Sequence, residues 1–590
     1  MKLDKLPNAI KSIPRNQRFF LGCWNNLTDE ESVDSDRISV MSAVTGLIEL
    51  NGLYSLGKTF NGDEKRISVG IEVCALLKKD MLLEKPHYKN IKDQLTALLD
   101  KNAKQNNVHS VNGRQILVGS LAKELIQLTN THYVADALTE LSSLLSPVFS
   151  LNEDPERDHF YKILQVTHHL IAALIAEGAH LAELSWIYRN VLAKSSPKTF
   201  SERFNKLTKI LLQEKEQYKV VINLKNHGFS QKVLDYGGHI TIGDFGIRNQ
   251  ALGICEATTV LEAKSFYRAA NIAHEKLNDI LDLLSHPMGR SVIVMGRSYD
   301  VELINETAPE KLQLELERLV PNPTYIFSSE KFKKYVESIA AFLVKTSGKK
   351  TPIFDAFRLS RIGITSQNLE SKFLTYWTAL ETLTNNVFVT DHAKDLRIAD
   401  AITPCITIDY INKRLASFLG AFKELNINQV TDKTNIVTNF TSISSLQFFK
   451  AMQNRDFCDA VYDATANQPY LQYQFKRFAY YCIFPHKLRD ILENHQTKIK
   501  WQIQRIYRAR NAIVHAGLKV NHLELLCANL EHYLKISLSS ITDLLSNSAS
   551  IESSEECFVR YDYAVSDILK NLKQEGANFD TLYQYLTIHQ

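Results

Sequence analysis

Apolar residues recur at three- and four-residue intervals through most of this chain, and that spacing limits it to a fold built mainly of helices. Only 14 prolines and 22 glycines interrupt the 590 residues, so long helices can form and extended disordered linkers are not expected. Residues 1 to about 215 read as helix after helix, most clearly at 39–58, 115–129, 134–147 and 157–187. No fixed period repeats through them, so a solenoid is unsupported. A length of this order corresponds to roughly three to four domains.

The pattern changes near residue 217. Residues 218–224, 239–242, 291–295 and 301–304 are strand-like, with an amphipathic helix expected at about 261–285. Residues 346–352 read as a linker, as do 194–197 earlier and the serine- and acid-rich 546–556 later. From about 366 the chain is helical again, with Leu369, Phe373, Trp377, Leu380 and Leu383 on one face. A polar, less regular stretch is expected at 385–440, followed by helices at 441–454, 470–484, 486 to about 515, and 521–545. A last helical piece reaches Gln590. The expected architecture is mainly α in four parts. These are a helical N-terminal region (1–215), a small α/β module (216–350), a C-terminal helical bundle (351–545) and a helical extension (546–590).

The net charge of +4 is close to neutral for this size, so any polyanion-binding surface must be local. None of the eight cysteines falls in a CxxC pair, which argues against a zinc ribbon or a disulfide framework and fits a reducing cytoplasm. The opening MKLDKLPNAI lacks the apolar run of a signal peptide. The most apolar helical stretch, 169–184, is interrupted by Glu177 and His180 and is too short and polar to span a bilayer.

Charge is concentrated in one place. Between 486 and 519 lie Lys487, Arg489, Lys498, Lys500, Arg505, Arg508, Arg510 and Lys519, against only Asp490 and Glu493. Such a tract is either a solvated helix face or a surface that holds a phosphate backbone, and in the second case Lys500, Arg505, Arg508 and Lys519 are the expected RNA contacts. Arg510 sits inside the apolar stripe of Ile499, Ile503, Ile506 and Ile513. A guanidinium there needs a partner, either a carboxylate such as Glu381 or a substrate phosphate. Lys500, Gln504, Arg508, Asn511 and His515 form the neighbouring polar stripe. Arg510 and His515 should stand about 7.5 Å apart along the axis and roughly 140° apart around it. A composite site across a two-fold axis is therefore the expected way to bring them together.

These groups suit metal-independent RNA cleavage. A histidine, with an unperturbed pKa of about 6.5, can take the proton of an attacking 2′-hydroxyl. A planar arginine fork can stabilise the charge that gathers on the phosphorane. Asn511 can orient the histidine or bond a phosphate oxygen. The spacing alone is a weak signal, because Arg268 with His274 and Arg489 with His495 repeat it.

Residues 506–517, IYRARNAIVHAG, resemble the signature of HEPN domains, specifically the Apea-like group: an arginine, a polar neighbour, then a histidine four to six residues on. Residues 374–383, LTYWTALETL, look like the first helix of the same domain, and together the likeness covers about 365–545. The resemblance implies a dimerising helical bundle with metal-independent ribonuclease activity. Its products would carry 2′,3′-cyclic phosphate and 5′-hydroxyl ends. It makes Arg510 and His515 the catalytic pair, Asn511 the polar neighbour and Glu381 a supporting residue, with no cofactor or metal. It also implies a role in anti-phage defence or as a toxin, RNA (tRNA among the targets) as partner, a homodimer, and a phage-derived trigger. Residues 1–350 match no partner domain, and are expected to sense the trigger or restrain the nuclease.

Other readings stand beside this one. Arg510 and His515 could serve only as a buried ion pair and a helix cap, in a non-catalytic RNA-binding or dimerisation module. The histidines 159, 168, 169 and 180, with Glu177 and Glu183, crowd what reads as one helix and could hold a metal, although no HExxH set is present. The turn at 243–246 is neither a dinucleotide fingerprint nor a P-loop. Trp24, Trp186 and Trp377 are expected in cores, while Trp501 and Tyr507 remain candidates for base stacking.

Overall fold

A computed structural model describes residues 3, 13–29, 42–55, 63–100, 112–147, 157–194, 198–289, 291–304, 310–315, 329–345, 352–366, 368–385, 387, 394–520, 522–548, 550–573 and 578–588. The protein is mainly helical with a small antiparallel sheet, as the spacing predicts. It divides into two compact units: Met1–Ala172 with Val320–Gln590, and Ala173–Leu319. No helix among the described residues is long and apolar enough to cross a membrane.

The N-terminal helices are α1 (Arg15–Leu27), α2 (Ala43–Ser55), α3 (Asp63–Lys79), α4 (Pro86–Leu99), α5 (Asn112–Leu145) and α6 (Arg157–Ala176). The two helices expected at 115–129 and 134–147 are one continuous α5. The single helix expected over 157–187 breaks after α6, where Gly178 takes φ +92°, and resumes as α7 (Leu181–Ile187). His159, His168 and His169 therefore lie on α6, while His180 caps α7 by accepting from the Ala182 N–H at 3.1 Å.

The second unit holds α7, a π-helical turn at Tyr188–Leu192, α8 (Phe200–Leu211), and strands β1 (Glu216–Lys225), β2 (His239–Ile242), β3 (Phe245–Ala251), β4 (Ile254–Ala263), β5 (Val294–Leu303) and β6 (Lys311–Glu315). Helices α9 (His227–Asp235) and α10 (Phe266–Met288) lie between them in sequence. The sheet order is β2-β3-β4-β1-β5-β6, with every pairing antiparallel. Tyr218, Val220, Ile222 and Leu224 alternate inward along β1. The alanines Ala269, Ala270 and Ala273 of α10 join the same core. The stretches expected as strands at 291–295 and 301–304 overlap the two ends of β5. Residues 254–263, whose last three fall within the expected helix, form the strand β4, and Ser265 starts α10 by accepting from the Arg268 N–H. Residues 243–246 make the β2–β3 hairpin, with Gly243 at φ +56° as its first turn residue.

The chain then returns to the first unit as α11 (Ser329–Lys345), α12 (Pro352–Thr365), α13 (Leu369–Thr384), α14 (Lys394–Glu424), a small hairpin of β7 (Gln429–Thr431) and β8 (Val437–Asn439), α15 (Ser445–Ala451), α16 (Arg455–Ala464), α17 (Pro469–Ile483), α18 (Pro485–Ala516), α19 (Leu523–Asn547), α20 (Ser554–Asn571) and α21 (Asp580–Ile588). The expected linkers at 194–197 and 346–352 lie largely outside the described residues, and the one at 546–556 shrinks to the few residues between α19 and α20. The irregular stretch expected at 385–440 is corrected by α14, a 31-residue helix.

Two cores organise this unit. In one, Phe373, Trp377 and Leu380 of α13 pack with Ile402, Ile503, Ile506 and Leu530. In the other, Leu415, Phe418 and Phe422 pack with Phe448, Phe475, Leu488 and Leu492. Both α14 and α18 contribute to each core. The N-terminal helices do not stand as the separate 1–215 region the sequence suggests. Phe19 of α1 packs edge-on against Tyr473 of α17 at 5.3 Å. A Cβ at Gly22 would come within 2.6 Å of the Tyr470 Cβ, so the approach of α1 to α17 requires glycine there.

Candidate active site at the end of the basic helix

Helix α18 begins with Pro485 at its first turn and ends at Gly517, which adopts the left-handed conformation at φ 59°. These bounds lie within a residue of those expected. Ile499, Ile503, Ile506 and Ala509 are buried, and Ile513 packs against the same core. Arg510, in that stripe, is half-buried, and so is Asn511, while His515 in the last turn is exposed.

The three side chains meet within one chain. Arg510 donates from Nη1 to Asn511 Oδ1 at 3.0 Å, and the same Nη1 lies 3.4 Å from His515 Nε2. This corrects the expectation that a second copy is needed to bring them together. The 140° separation applies to the backbone, and the long arginine stem curls around the helix to span it. A guanidinium only donates, so Nε2 is the acceptor in this contact. Glu381 lies half-buried on α13, and Arg510 turns its guanidinium to Asn511 and His515 rather than to that carboxylate.

The upstream cations are engaged by acids that sequence reasoning missed. Arg505, expected on an RNA-facing surface, is buried. Its Nε donates to Glu49 Oε2 at 3.0 Å, its Nη2 to Glu72 Oε2 at 2.5 Å, and its Nη1 to Gln502 at 2.8 Å. Arg508 donates from Nε to Glu49 Oε1 at 2.8 Å, and its Nη2 is 2.6 Å from the same oxygen. Ser68 of α3 donates to Gln504 at 2.7 Å. Burial pushes the Glu49 carboxyl up, but the charges of Arg508 and Arg505 outweigh it and hold the group at about 2. Lys500 pairs with Asp400 of α14 at 2.7 Å, across solvent-exposed side chains. Lys519 lies exposed just beyond the helix end. Nothing in the sequence joins residues 49 and 72 to 505 and 508, which are more than 430 positions away.

Tyr507 packs on Trp377 with ring centroids 5.7 Å apart, and Trp501 is half-buried. His169 Nδ1 lies 3.2 Å from Asp80, whose other oxygen accepts from Tyr133. Burial, with the nearby charges of His169 and Lys498, pushes His168 down to about 3. In the second unit, Glu177 pairs with Lys264 at 3.0 Å. Among the described residues no three His, Cys, Asp or Glu side chains converge as a metal-ligand set. Comparison of the chain with family models, with curated proteins and with solved structures returned no match.

Proposed function

We propose that the exposed end of α18 is a metal-independent RNA-cleaving site of the HEPN type, with α13, α14, α18 and α19 as its helical bundle. The observation that carries this reading is the contact of Arg510 with both Asn511 and His515 at a solvent-facing helix end. In the resting protein the guanidinium covers the Nε2 lone pair. A phosphate is the stronger partner for that guanidinium, because charge-assisted, forked bonds exceed a bond to neutral imidazole. An arriving RNA phosphate would therefore draw Arg510 off His515 and free the base.

Nε2 then takes the proton of the 2′-hydroxyl as its oxygen bonds to phosphorus. Arg510 stabilises the negative charge on the equatorial oxygens, and Asn511 steers the guanidinium. The P–O5′ bond breaks, and O5′ receives a proton from the imidazolium or from a second copy's His515. The products are a 2′,3′-cyclic phosphate and a 5′-hydroxyl. Val514 and Leu518, both large apolar side chains exposed beside His515, favour a homodimer through this helix end. The resemblance alone suggests tRNA among the targets, a role in anti-phage defence or as a toxin, and a phage-derived trigger.

A second reading is a non-catalytic RNA-binding or dimerisation module, and the pairing of Lys500, Arg505 and Arg508 with acids favours its dimerisation form. One experiment separates the two. The full chain is incubated with cellular RNA in excess chelator and the new ends are mapped. Cyclic-phosphate ends that vanish in both Arg510→Ala and His515→Ala support cleavage. Binding without cutting supports the second reading.

A further inference from the structure

The basic tract beside the Arg510 cluster is occupied by the protein's own carboxylates. Gln504, Arg508, Asn511 and His515 share one stripe of α18, and Arg508 precedes Asn511 by about 4.5 Å along the axis. An RNA strand whose scissile phosphate sits at His515 would continue along that stripe onto Arg508. Glu49 and Glu72 stand there instead, with Ser68 bonded to Gln504.

We infer that α2 and α3 form an acidic clamp that competes with the RNA backbone for Arg505 and Arg508, so that the nuclease rests closed and opens when the clamp is displaced. This rests on the cleavage reading of the neighbouring cluster.

The chemistry of the contact favours a releasable role. Two arginines and two glutamates cancel in charge, and the carboxylate oxygens take the donors that phosphate oxygens would take. A buried ion pair is a poor adhesive, since desolvation offsets most of its attraction, and apolar packing would hold the helices better. Where α1 meets α17, the buried Arg15–Gln472 hydrogen bond is backed by close apolar packing of Phe19, Gly22 and Tyr470. Helix α2 packs mainly on α3 and α5, and α3 on α2 and α4, with a smaller approach of α3 to α18. Glu49 keeps its charge throughout the physiological range, so opening calls for a competing anion or a partner rather than a change of pH.

The test uses the full chain with His515→Ala, which keeps RNA intact, and a fluorescent single-stranded RNA as probe. Adding Glu49→Gln and Glu72→Gln should tighten RNA binding about tenfold. It should also steepen the salt dependence by about 1.4 in log–log slope, for two more phosphates engaged. Unchanged affinity and slope in a folded variant would overturn the clamp. The second measurement leaves the clamp residues intact. On adding RNA to His515→Ala alone, amides of 43–55 and 63–79 should lose hydrogen-exchange protection while those of α13 do not. Full protection with RNA bound overturns the proposal even if the double variant fails to fold. With His515 restored, a parent that cuts RNA and a clamp variant that cuts no faster sink the clamp and spare the cleavage reading. A clamp variant that binds RNA tightly while neither protein cuts does the reverse.

Discussion

The contact between Arg510 and His515 makes a quantitative prediction about their joint removal. Arg510 Nη1 reaches both Asn511 Oδ1 at 3.0 Å and His515 Nε2 at 3.4 Å, so in the proposed cleavage the cation and the base would act as one unit. Loss of a preorganised donor to a developing anion costs about 10²- to 10³-fold in rate, or about 3–4 kcal/mol of barrier. Loss of a general base costs about 10²- to 10⁴-fold. Were the two groups independent, Arg510→Ala with His515→Ala would multiply these losses to about 10⁴- to 10⁷-fold. Groups acting as a unit do not add, so the double variant should be no slower than the worse single one within about threefold. Arg510→Lys keeps the charge but cannot fork to both neighbours, and should fall between wild type and alanine. The assay is single-turnover cleavage of an end-labelled RNA in excess chelator, with enzyme above substrate so that chemistry is read. A double variant slowed by the product of the single effects would refute the reasoning.

Three further outcomes follow from the same geometry. Arg505→Ala strands Glu72 in a buried site and should destabilise the first unit by about 3–5 kcal/mol, whereas Arg505→Met together with Glu72→Leu should recover most of that, read by urea denaturation. Glu49 sits at about 2 when folded against an ordinary 4.5. Its folded value is the lower, so its stabilisation is complete above about pH 4.5 and drains away as pH falls toward 2. Hydrogen exchange of 43–55 should show that acid loss in wild type and not in Glu49→Gln. Gly517→Ala forces a side chain into the left-handed region at a cost of about 1–2 kcal/mol and should loosen the last turn. Faster amide exchange at 512–516, together with slower RNA cleavage, is expected; unchanged exchange would count against the cap.

How much was legible from the residues depended on how local the determining physics was. Helix α18 was found almost to the residue, because a proline opens it, a glycine closes it, and its apolar stripe faces one side. Strand β2 was found for a similar reason, being short and bounded by glycines. Helix α14 was missed because it buries several sides in two different cores and carries Pro404 inside, so no single stripe marks it. The extra strands β3 and β4 were hidden by a run of small and polar residues whose partners lie across the sheet. At the site, Arg510, Asn511 and His515 were visible as a local pattern. The fate of Arg505 and Arg508 was not, because it is decided by carboxylates hundreds of residues away.

The two long helices that thread both hydrophobic centres have a thermodynamic consequence. Since α14 and α18 each belong to both, neither centre can melt without dragging on a rod anchored in the other. Damage near the phenylalanine-rich end should thus be felt at the histidine tip through rigid backbone, with no moving parts between them. Damage at Leu488, for instance, 27 positions before His515, should therefore slow the proposed cleavage even though it touches none of the proposed site.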